Sequence, residues 1–151
     1  MESDQKNPPL TIATTRLLNS QTNGSQGVLV GGMTIRRPGD RSKLRLSGIH
    51  TLGYVVAGTG RFLANGNWYD LHPGFVFQRL PDYECELECN THPIWKHYWI
   101  RLDTKLSTRL LELGILKHQS AWEVGTNPRY VQLFTTFLTK LKNADEVQLP
   151  Q

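Results

Sequence analysis

The sequence predicts a mainly β domain, a barrel or a sandwich, followed by two α-helices. Turn signals recur at intervals of about 8–12 residues between Val28 and Asp103, which is typical of barrels and sandwiches. The runs between these turns alternate with the period of a strand. After Asp103 the apolar residues change to helical spacing. A chain of 151 residues is long enough to bury one core of this kind.

The composition indicates a protein without a membrane span or an export signal. Hydrophobic residues make up 38% of the chain, and no apolar run approaches the roughly 20 residues that cross a bilayer. The start, MESDQKNPPL, is polar and acidic where a secretory signal would be basic and then apolar, so we expect a cytoplasmic protein. The net charge is +4, and its one basic cluster, residues 34–45, favours a solvated loop over a nucleic-acid patch.

The elements follow in order. Residues 1–27 predict a flexible N-terminal arm, because they are rich in Asn, Gln, Ser, Thr and Gly. Residues 28–103 predict the barrel, which begins with the strand VLVGGMTI and the turn RPGD. The Asn65–Gly66 pair marks a hairpin, because both residues tolerate the positive φ angles of a type I′ turn. Pro73–Gly74 and Pro81–Asp82 mark further turns around the strand FVFQRL.

The run YECELEC, residues 83–89, alternates cysteines with glutamates. Cys85 and Cys89 would share one face of a strand about 13 Å apart, which is too far for a disulfide. We therefore expect two reduced thiols facing a core. The glutamates would share the other face as a row of solvated charges rather than as a catalytic pair.

The stretch PIWKHYWIRLD, residues 93–103, raises the question of function. Alternation puts apolar residues on one face of this strand and a mixed aromatic and basic set on the other. That set consists of Trp95, His97, Trp99 and Arg101. A core strand with one hydrogen-bonded histidine explains the pattern, and so does the wall of a pocket.

Two helices are predicted in residues 104–145. The first has Thr104 as its expected N-cap and Gly114 as its stop signal. The second has Asn127 as its cap and Pro128 as its first helical residue. Its apolar seam predicts either a dimer interface or packing on its own barrel. The seam consists of Val131, Phe134, Leu138 and Leu141.

The order of turns and strands points to a known family. YVVAGTGRFLANGNWYDLHPGFVFQRLPDYECEL contains a strand, a Gly-x-Gly turn, a hairpin and a Pro-Gly turn, and PIWKHYWIRLD adds a Trp-x-His-x-Trp run. In this order, residues 28–145 resemble the N-terminal sensor domain of AraC-type transcription regulators. The resemblance implies a cupin-like double-stranded β-helix barrel, or jelly roll, followed by two helices.

The resemblance also implies a function and partners. The domain would be a non-enzymatic, dimerising sensor that binds a small-molecule effector, a monosaccharide or a related carbohydrate, without a cofactor. DNA would be bound only by a helix-turn-helix domain that this chain lacks, with residues 146–151 starting the linker to it. The chain would be an excised domain or a natural short form, and excision is preferred because its charged ending is typical of a linker.

The family's sugar-contacting histidine and tryptophan correspond to His97 and Trp99. An indole face covers the apolar side of a sugar ring, and a neutral imidazole both donates and accepts hydrogen bonds. A family arginine before the conserved strands matches a neighbourhood holding Arg41, Lys43 and Arg45, without a decisive choice. The predicted ligand-binding residues are therefore His97, Trp99, Trp95, Arg45, Tyr54 and Arg41.

The rival interpretation is a metal-dependent cupin enzyme, such as a sugar isomerase or a dioxygenase. The positions of the metal ligands in such enzymes fall near Arg45, Ser47, Thr51 and Cys85, none of which is a histidine or a carboxylate. His50 lies nearby, and we expect it to be a strand residue with a hydrogen bond. Signatures of serine hydrolases, P-loop proteins, zinc proteases and Rossmann enzymes are missing from the sequence. We therefore expect no catalytic residue and no metal.

Overall fold

The computed structural model describes residues 10–14, 28–45, 47–90 and 92–147. In this part of the chain, strands form two antiparallel sheets, and two helices lie towards the C-terminal end. The strands are β1 (Leu10–Thr14), β2 (Val28–Arg36), β3 (Arg41–Leu44), β4 (Ile49–Ala57), β5 (Gly60–Ala64), β6 (Asn67–Leu71), β7 (Phe75–Arg79), β8 (Cys85–Cys89), β9 (Trp95–Asp103) and β10 (Ala121–Glu123). The helices are α1 (Thr104–Glu112) and α2 (Pro128–Val147).

Strand β9 lies inside the larger sheet, whose order is β1-β2-β9-β4-β7-β10. The smaller sheet has the order β3-β8-β5-β6. From β2 to β9 the chain alternates between the two sheets except at the hairpin of β5 and β6, which both lie in the smaller sheet. Neighbours such as β2 and β9 are therefore far apart in sequence, as in a jelly roll. The predicted mainly β domain with two C-terminal helices is confirmed.

The hydrophobic core lies between the two sheets. Phe77 and Trp95 from the larger sheet meet Phe62 from the smaller sheet. The ring centroids of Phe62 and Phe77 are 5.3 Å apart, and those of Phe77 and Trp95 are 6.3 Å apart. Burying a side chain of this size contributes about 1.5–3 kcal/mol. This aromatic cluster therefore holds the two sheets together.

The two thiols occupy this core. Cys85 and Cys89 are free and buried, which confirms the prediction of reduced thiols facing a core. Burial raises the pKa of the Cys85 thiol and raises that of Cys89 to about 12. Both sulfurs are therefore protonated at neutral pH.

The glutamates between the thiols are paired rather than simply solvated. Glu86 is buried and forms a close ion pair with Arg41, while Glu88 Oε2 lies 3.2 Å from Arg61 Nη2. The reason is the position of β8 between β3 and β5, which brings cations from both neighbours against its glutamates. The basic segment that the sequence favours as a solvated loop therefore contains a sheet strand, β3.

Most predicted turns and caps are present. Asn65 and Gly66 have φ angles of 51° and 77°, as the hairpin requires. Asn127 Oδ1 accepts a hydrogen bond from the Arg129 N–H at 3.0 Å, so the cap of α2 is confirmed. The cap of α1 is one residue earlier than predicted, because the carboxylate of Asp103 accepts from the backbone N–H of Leu106 at 2.8 Å.

Two edge strands are absent from the sequence prediction. Within the predicted arm of residues 1–27, Leu10–Thr14 form β1 and pair with β2 from Gly31 to Ile35. The short strand β10 pairs with β7 at the other edge. The rest of the predicted arm lies outside the described residues.

Helix α2 packs on the outer face of the larger sheet. The ring of Phe134 stacks on Tyr98 and Tyr54, with centroid distances of 5.5 Å and 6.0 Å. Leu138 is only 8% exposed, and its Cδ2 approaches Gly31 so closely that a Cβ there would lie 2.7 Å from it. Of the predicted dimer seam, Phe134 and Leu138 therefore contact the barrel of their own chain. Val131 is half-buried, and the side chain of Leu141 lies outside the described residues.

Candidate ligand-binding site

The strand register brings one set of side chains together on the inner face of the larger sheet. Along β9, His97 pairs with Thr34 of β2, and Trp99 pairs with Gly53 of β4. One step further, Arg101 pairs with Thr51, which also pairs with Arg79 of β7. Because directly paired residues point to the same face of a sheet, these rows share one surface.

A cavity of about 210 Å³ lies over this surface. Its volume is below that of the pockets that take drug-sized ligands, so it suits a small molecule. The lining residues are Thr34, Arg36, Ser42, Lys43, Thr51, Gly53, Phe77, Arg79, His97, Trp99 and Arg101.

His97 presents a neutral imidazole to the cavity. Its side chain is buried, and its Nδ1 accepts a hydrogen bond from Trp95 Nε1–H at 2.6 Å. Burial lowers the pKa of His97 well below the ordinary value, and the positive charges of Arg36 and Arg79 lower it further. With Nδ1 as the acceptor, the ring carries its proton on Nε2. The remaining N–H is thus a donor for an occupant of the cavity.

Trp99 is held in a fixed orientation beside His97. Its Nε1–H donates to Thr34 Oγ1 at 2.9 Å, and the guanidinium carbon of Arg101 lies 5.0 Å from the indole centroid. Gly53 faces this part of the wall, where a Cβ would lie 2.5 Å from Cζ of Phe77. Glycine at position 53 therefore allows the Phe77 ring to lie close to the strand.

Three arginines give the cavity a positive charge. Burial lowers the pKa values of Arg36 and Arg101, and burial followed by the charge of Arg36 lowers the pKa of Arg79 to about 10. All three guanidinium groups are still charged at neutral pH. The lining residues include no carboxylate.

The structure brings some of the predicted ligand-binding residues to the cavity and not others. His97 and Trp99 line it, while Trp95 is 1% exposed and lies in the core, where it supports His97. Tyr54 lies on the outer face of the sheet, because its neighbour Gly53 faces inward, and its hydroxyl donates to the carbonyl of Gly125.

The basic residues of the predicted site are also separated. Arg41 pairs with Glu86 instead of lining the cavity, and Arg45 is exposed outside it. Of the three basic candidates left open by the sequence, only Lys43 lines the cavity.

Arg36 and Arg79 are cavity residues that the sequence prediction missed. Arg101 was on the predicted face of β9, but no role was assigned to it. The sequence does indicate the orientation of Arg79, because alternation in FVFQR places it on the same strand face as Phe77. Only the register across β7, β4 and β9 shows that it meets Arg101.

The residues suited to metal binding are dispersed. The described residues contain no cluster of three or more His, Cys, Asp or Glu side chains placed to bind one ion. His50, next to the positions where cupin enzymes carry ligands, is fully buried, and its Nε2 lies 2.9 Å from Oε1 of Gln78. The prediction that His50 is a strand residue with a hydrogen bond is confirmed.

No helix in the described part of the chain combines the length and the apolar character that crossing a membrane requires.

Solved structures with a similar fold are cupin domains. The cupin domain of Schizosaccharomyces pombe Cnp3 superposes with a TM-score of 0.54 and 8% identity, over 77% of this chain and 81% of that one. A Cupin 2 conserved barrel domain protein from Salinispora arenicola gives a TM-score of 0.50 and 14% identity, over 70% and 84%. These likenesses show the fold alone, and they confirm the predicted cupin-like barrel.

Sequence comparison supplies the family. Comparison with curated proteins gives no match. The family described as the AraC-like ligand binding domain matches residues 34–148, which include the last three residues of β2 and every later element up to α2. The match covers well over half of the chain and confirms the predicted resemblance. The chain therefore belongs to the AraC-like ligand binding domain family.

Proposed function

We propose that this domain is the sensor of an AraC-type transcription regulator and that its effector, a sugar or a closely related small molecule, binds in the cavity. The observation that carries the proposal is the cavity wall formed by His97 and Trp99 in a chain of this family. The neutral imidazole supplies a hydrogen-bond donor, and the fixed indole supplies apolar surface for a sugar ring.

Unpaired hydroxyl groups in the cavity support a polyhydroxylated effector. Ser42 Oγ and Thr51 Oγ1 are buried without a hydrogen-bond partner among the described residues, and both residues line the cavity. A buried polar group without a partner costs about 1–3 kcal/mol. An effector whose hydroxyls pair with these groups would recover that cost and would be distinguished from its epimers.

In the intact regulator, the domain would act as a cytoplasmic homodimer without catalytic activity. DNA would be bound by a helix-turn-helix domain outside this chain, and the effector would control that binding. The exposed side of α2, where Leu133 is 55% exposed, is available for the dimer contact.

A thermal-shift panel of neutral sugars and their derivatives tests effector binding. An effector at 100 times its dissociation constant stabilises the folded state by about 2.7 kcal/mol. In a domain of this size each kcal/mol moves the midpoint by roughly 2–4 °C, so the expected shift is easily measured.

A pair of matched variants tests whether the effector binds at the cavity wall. Trp99→Phe removes the indole N–H and part of the ring surface from the cavity, whereas Trp68→Phe makes the same change at an exposed site on the smaller sheet. We expect the effector shift to be lost in Trp99→Phe and kept in Trp68→Phe. Equal responses of both variants would contradict binding at this wall.

A further inference from the structure

Three guanidinium groups reach the cavity from three different strands. Arg36 ends β2, Arg79 ends β7, and Arg101 lies near the end of β9. Thr51 of β4 is the register partner of both Arg79 and Arg101, so these two arginines flank it on one face of the sheet. Arg36 is the register partner of Trp95. Its positive charge contributes to lowering the pKa values of both Arg79 and His97.

None of these three arginines has an ion-pair partner among the residues that the structure describes. The Nε atom of each one is buried and lacks a hydrogen-bond acceptor there. The carboxylates of β8 are already engaged, since Glu86 pairs with Arg41 and Glu88 with Arg61.

The internal surroundings of the arginines do not neutralise their charge. Burial lowers the pKa of Arg36 and outweighs the negative charge of Asp40, which acts in the opposite direction. Guanidinium groups nevertheless stay protonated in proteins. Buried cations without an anionic partner are unfavourable, and three of them around one space also repel one another.

A neutral sugar would leave this charge uncompensated, because its hydroxyls form hydrogen bonds without carrying a negative charge. We propose that the effector is an anion of about monosaccharide size and that Arg79 and Arg101, assisted by Arg36, bind its carboxylate or phosphate group. A guanidinium group matches both anions with two parallel hydrogen bonds. The inference rests on the proposed function, because it requires the effector to occupy this cavity.

The strand register also indicates where the anionic group and the ring of such an effector would bind. The anionic group would lie at the row of Arg101, Thr51 and Arg79, and the ring would lie against the neighbouring row of Trp99. A sugar acid or a sugar phosphate has this combination of a ring, hydroxyls and one anionic group.

Calorimetric titration with D-galactose, D-galacturonate, D-galactose 6-phosphate and inorganic phosphate, at constant ionic strength in chloride, tests the charge requirement. We expect at least one of the two sugar anions to bind about tenfold or more tightly than galactose, because a charge-assisted hydrogen bond is stronger than a neutral one. We also expect phosphate alone to bind measurably. The preferred sugar anion distinguishes carboxylate from phosphate.

Single-charge variants test the site. We expect Arg79→Gln and Arg101→Gln to weaken anion binding about tenfold to hundredfold while the protein stays folded. Loss of repulsion should leave their melting temperatures unchanged or higher. Arg61→Gln removes the same charge from an exposed ion pair and should bind anions like the unmodified protein.

The outcomes separate the two proposals. Equal binding of neutral and anionic sugars that depends on Trp99 but not on Arg79 would overturn the anion inference and leave the sensor function standing. Absence of binding by every sugar and by phosphate would overturn both. Anion binding that Arg79→Gln and Arg101→Gln leave intact, or a large loss of stability in both variants, would show that these arginines do not form the site.

Discussion

The hydrogen bond between Trp95 and His97 determines which form of the imidazole faces the cavity. Trp95 Nε1 has only a proton to offer, so His97 Nδ1 is the acceptor and the ring is neutral. Burial and the positive charges of Arg36 and Arg79 act in the same direction on the pKa of His97. The buried indole of Trp95 thus determines that His97 offers an N–H donor to the cavity.

Lowering the pH below about 6.5 should destabilise the domain. An unfolded histidine takes up a proton near pH 6.5, whereas burial lowers the pKa values of both His97 and His50 in the folded state. The unfolded state then binds more protons, so stability falls as the pH falls through this range. Each histidine contributes a slope of up to about 1.4 kcal/mol per pH unit.

Urea unfolding at pH 7.5, 6.5 and 5.5 measures this slope. His97→Gln removes one of the two titrating groups and should make the dependence shallower. His118→Gln changes an exposed histidine and serves as the control. An unchanged slope in His97→Gln would argue that folding does not lower the pKa of His97.

At the level of residues, the sequence was informative where the chemistry lies on one strand. Alternation in PIWKHYWIRLD places His97 and Trp99 on one face, and both line the cavity. Arg36 and Arg79 each lie at the end of a separate strand, where a lone arginine is ordinarily solvated. Their convergence depends on which strands pair and in which register, and local sequence does not contain that information.

At the level of secondary-structure elements, α2 packs against the sheet through part of its apolar seam. Phe134 and Leu138 face Tyr98 and Gly31 of the same chain, whereas Leu133 is 55% exposed. Periodicity predicted the stripe but not its partner, because a helix stripe of this kind suits a barrel and a second helix equally well. The glycine that admits Leu138 is visible only once β2 and α2 are placed together.

Charge at position 138 should destabilise the fold rather than only weaken self-association. Leu138→Asp places a carboxylate in the contact between α2 and the sheet, and we expect it to cost about 3 kcal/mol or more. Leu133→Asp makes the same change on the exposed side and should stay within about 0.5 kcal/mol of the unmodified protein. Urea unfolding measures both effects.

Sedimentation of the same pair addresses the dimer. A dimer formed through the exposed side of α2 would dissociate in Leu133→Asp without loss of folding. If Leu138→Asp were as stable as the unmodified protein, the packing of α2 on the sheet would be contradicted.

Short edge strands limited the prediction of elements. The strands β1 and β10 comprise five and three residues, and each pairs with one neighbour at the edge of the larger sheet. Their formation is decided by backbone hydrogen bonds to β2 and β7 rather than by their own composition. The hairpin at Asn65–Gly66 was predictable because its turn geometry is set by the two residues themselves.

For the molecule as a whole, the two sheets enclose both the core and the thiols. Cys85 and Cys89 belong to a buried cluster that contains residues of both sheets, and burial keeps them protonated. Both thiols are 3% exposed and protonated, so a reagent that attacks thiolates reacts with them poorly in the folded state. Thiol reactivity should therefore report global opening of the barrel.

We expect labelling by a thiolate-specific reagent to be very slow in the folded state and to accelerate with urea in parallel with global unfolding. The unfolded chain should consume two equivalents of reagent, one for each cysteine in the sequence. Rapid labelling without denaturant would indicate local opening near β8 and would contradict a core that opens only as a unit.

Successive side chains of β9 face the cavity and helix α2 in turn. His97 and Trp99 face the cavity, while Tyr98 between them stacks on Phe134 of α2. The proposed effector site and the contact with α2 therefore lie on opposite sides of three consecutive residues, separated by a single backbone layer. A small twist of β9 would displace both the cavity wall and the surface on which α2 packs. Coupling between the cavity and α2 would therefore need neither a hinge nor a chain of intervening residues.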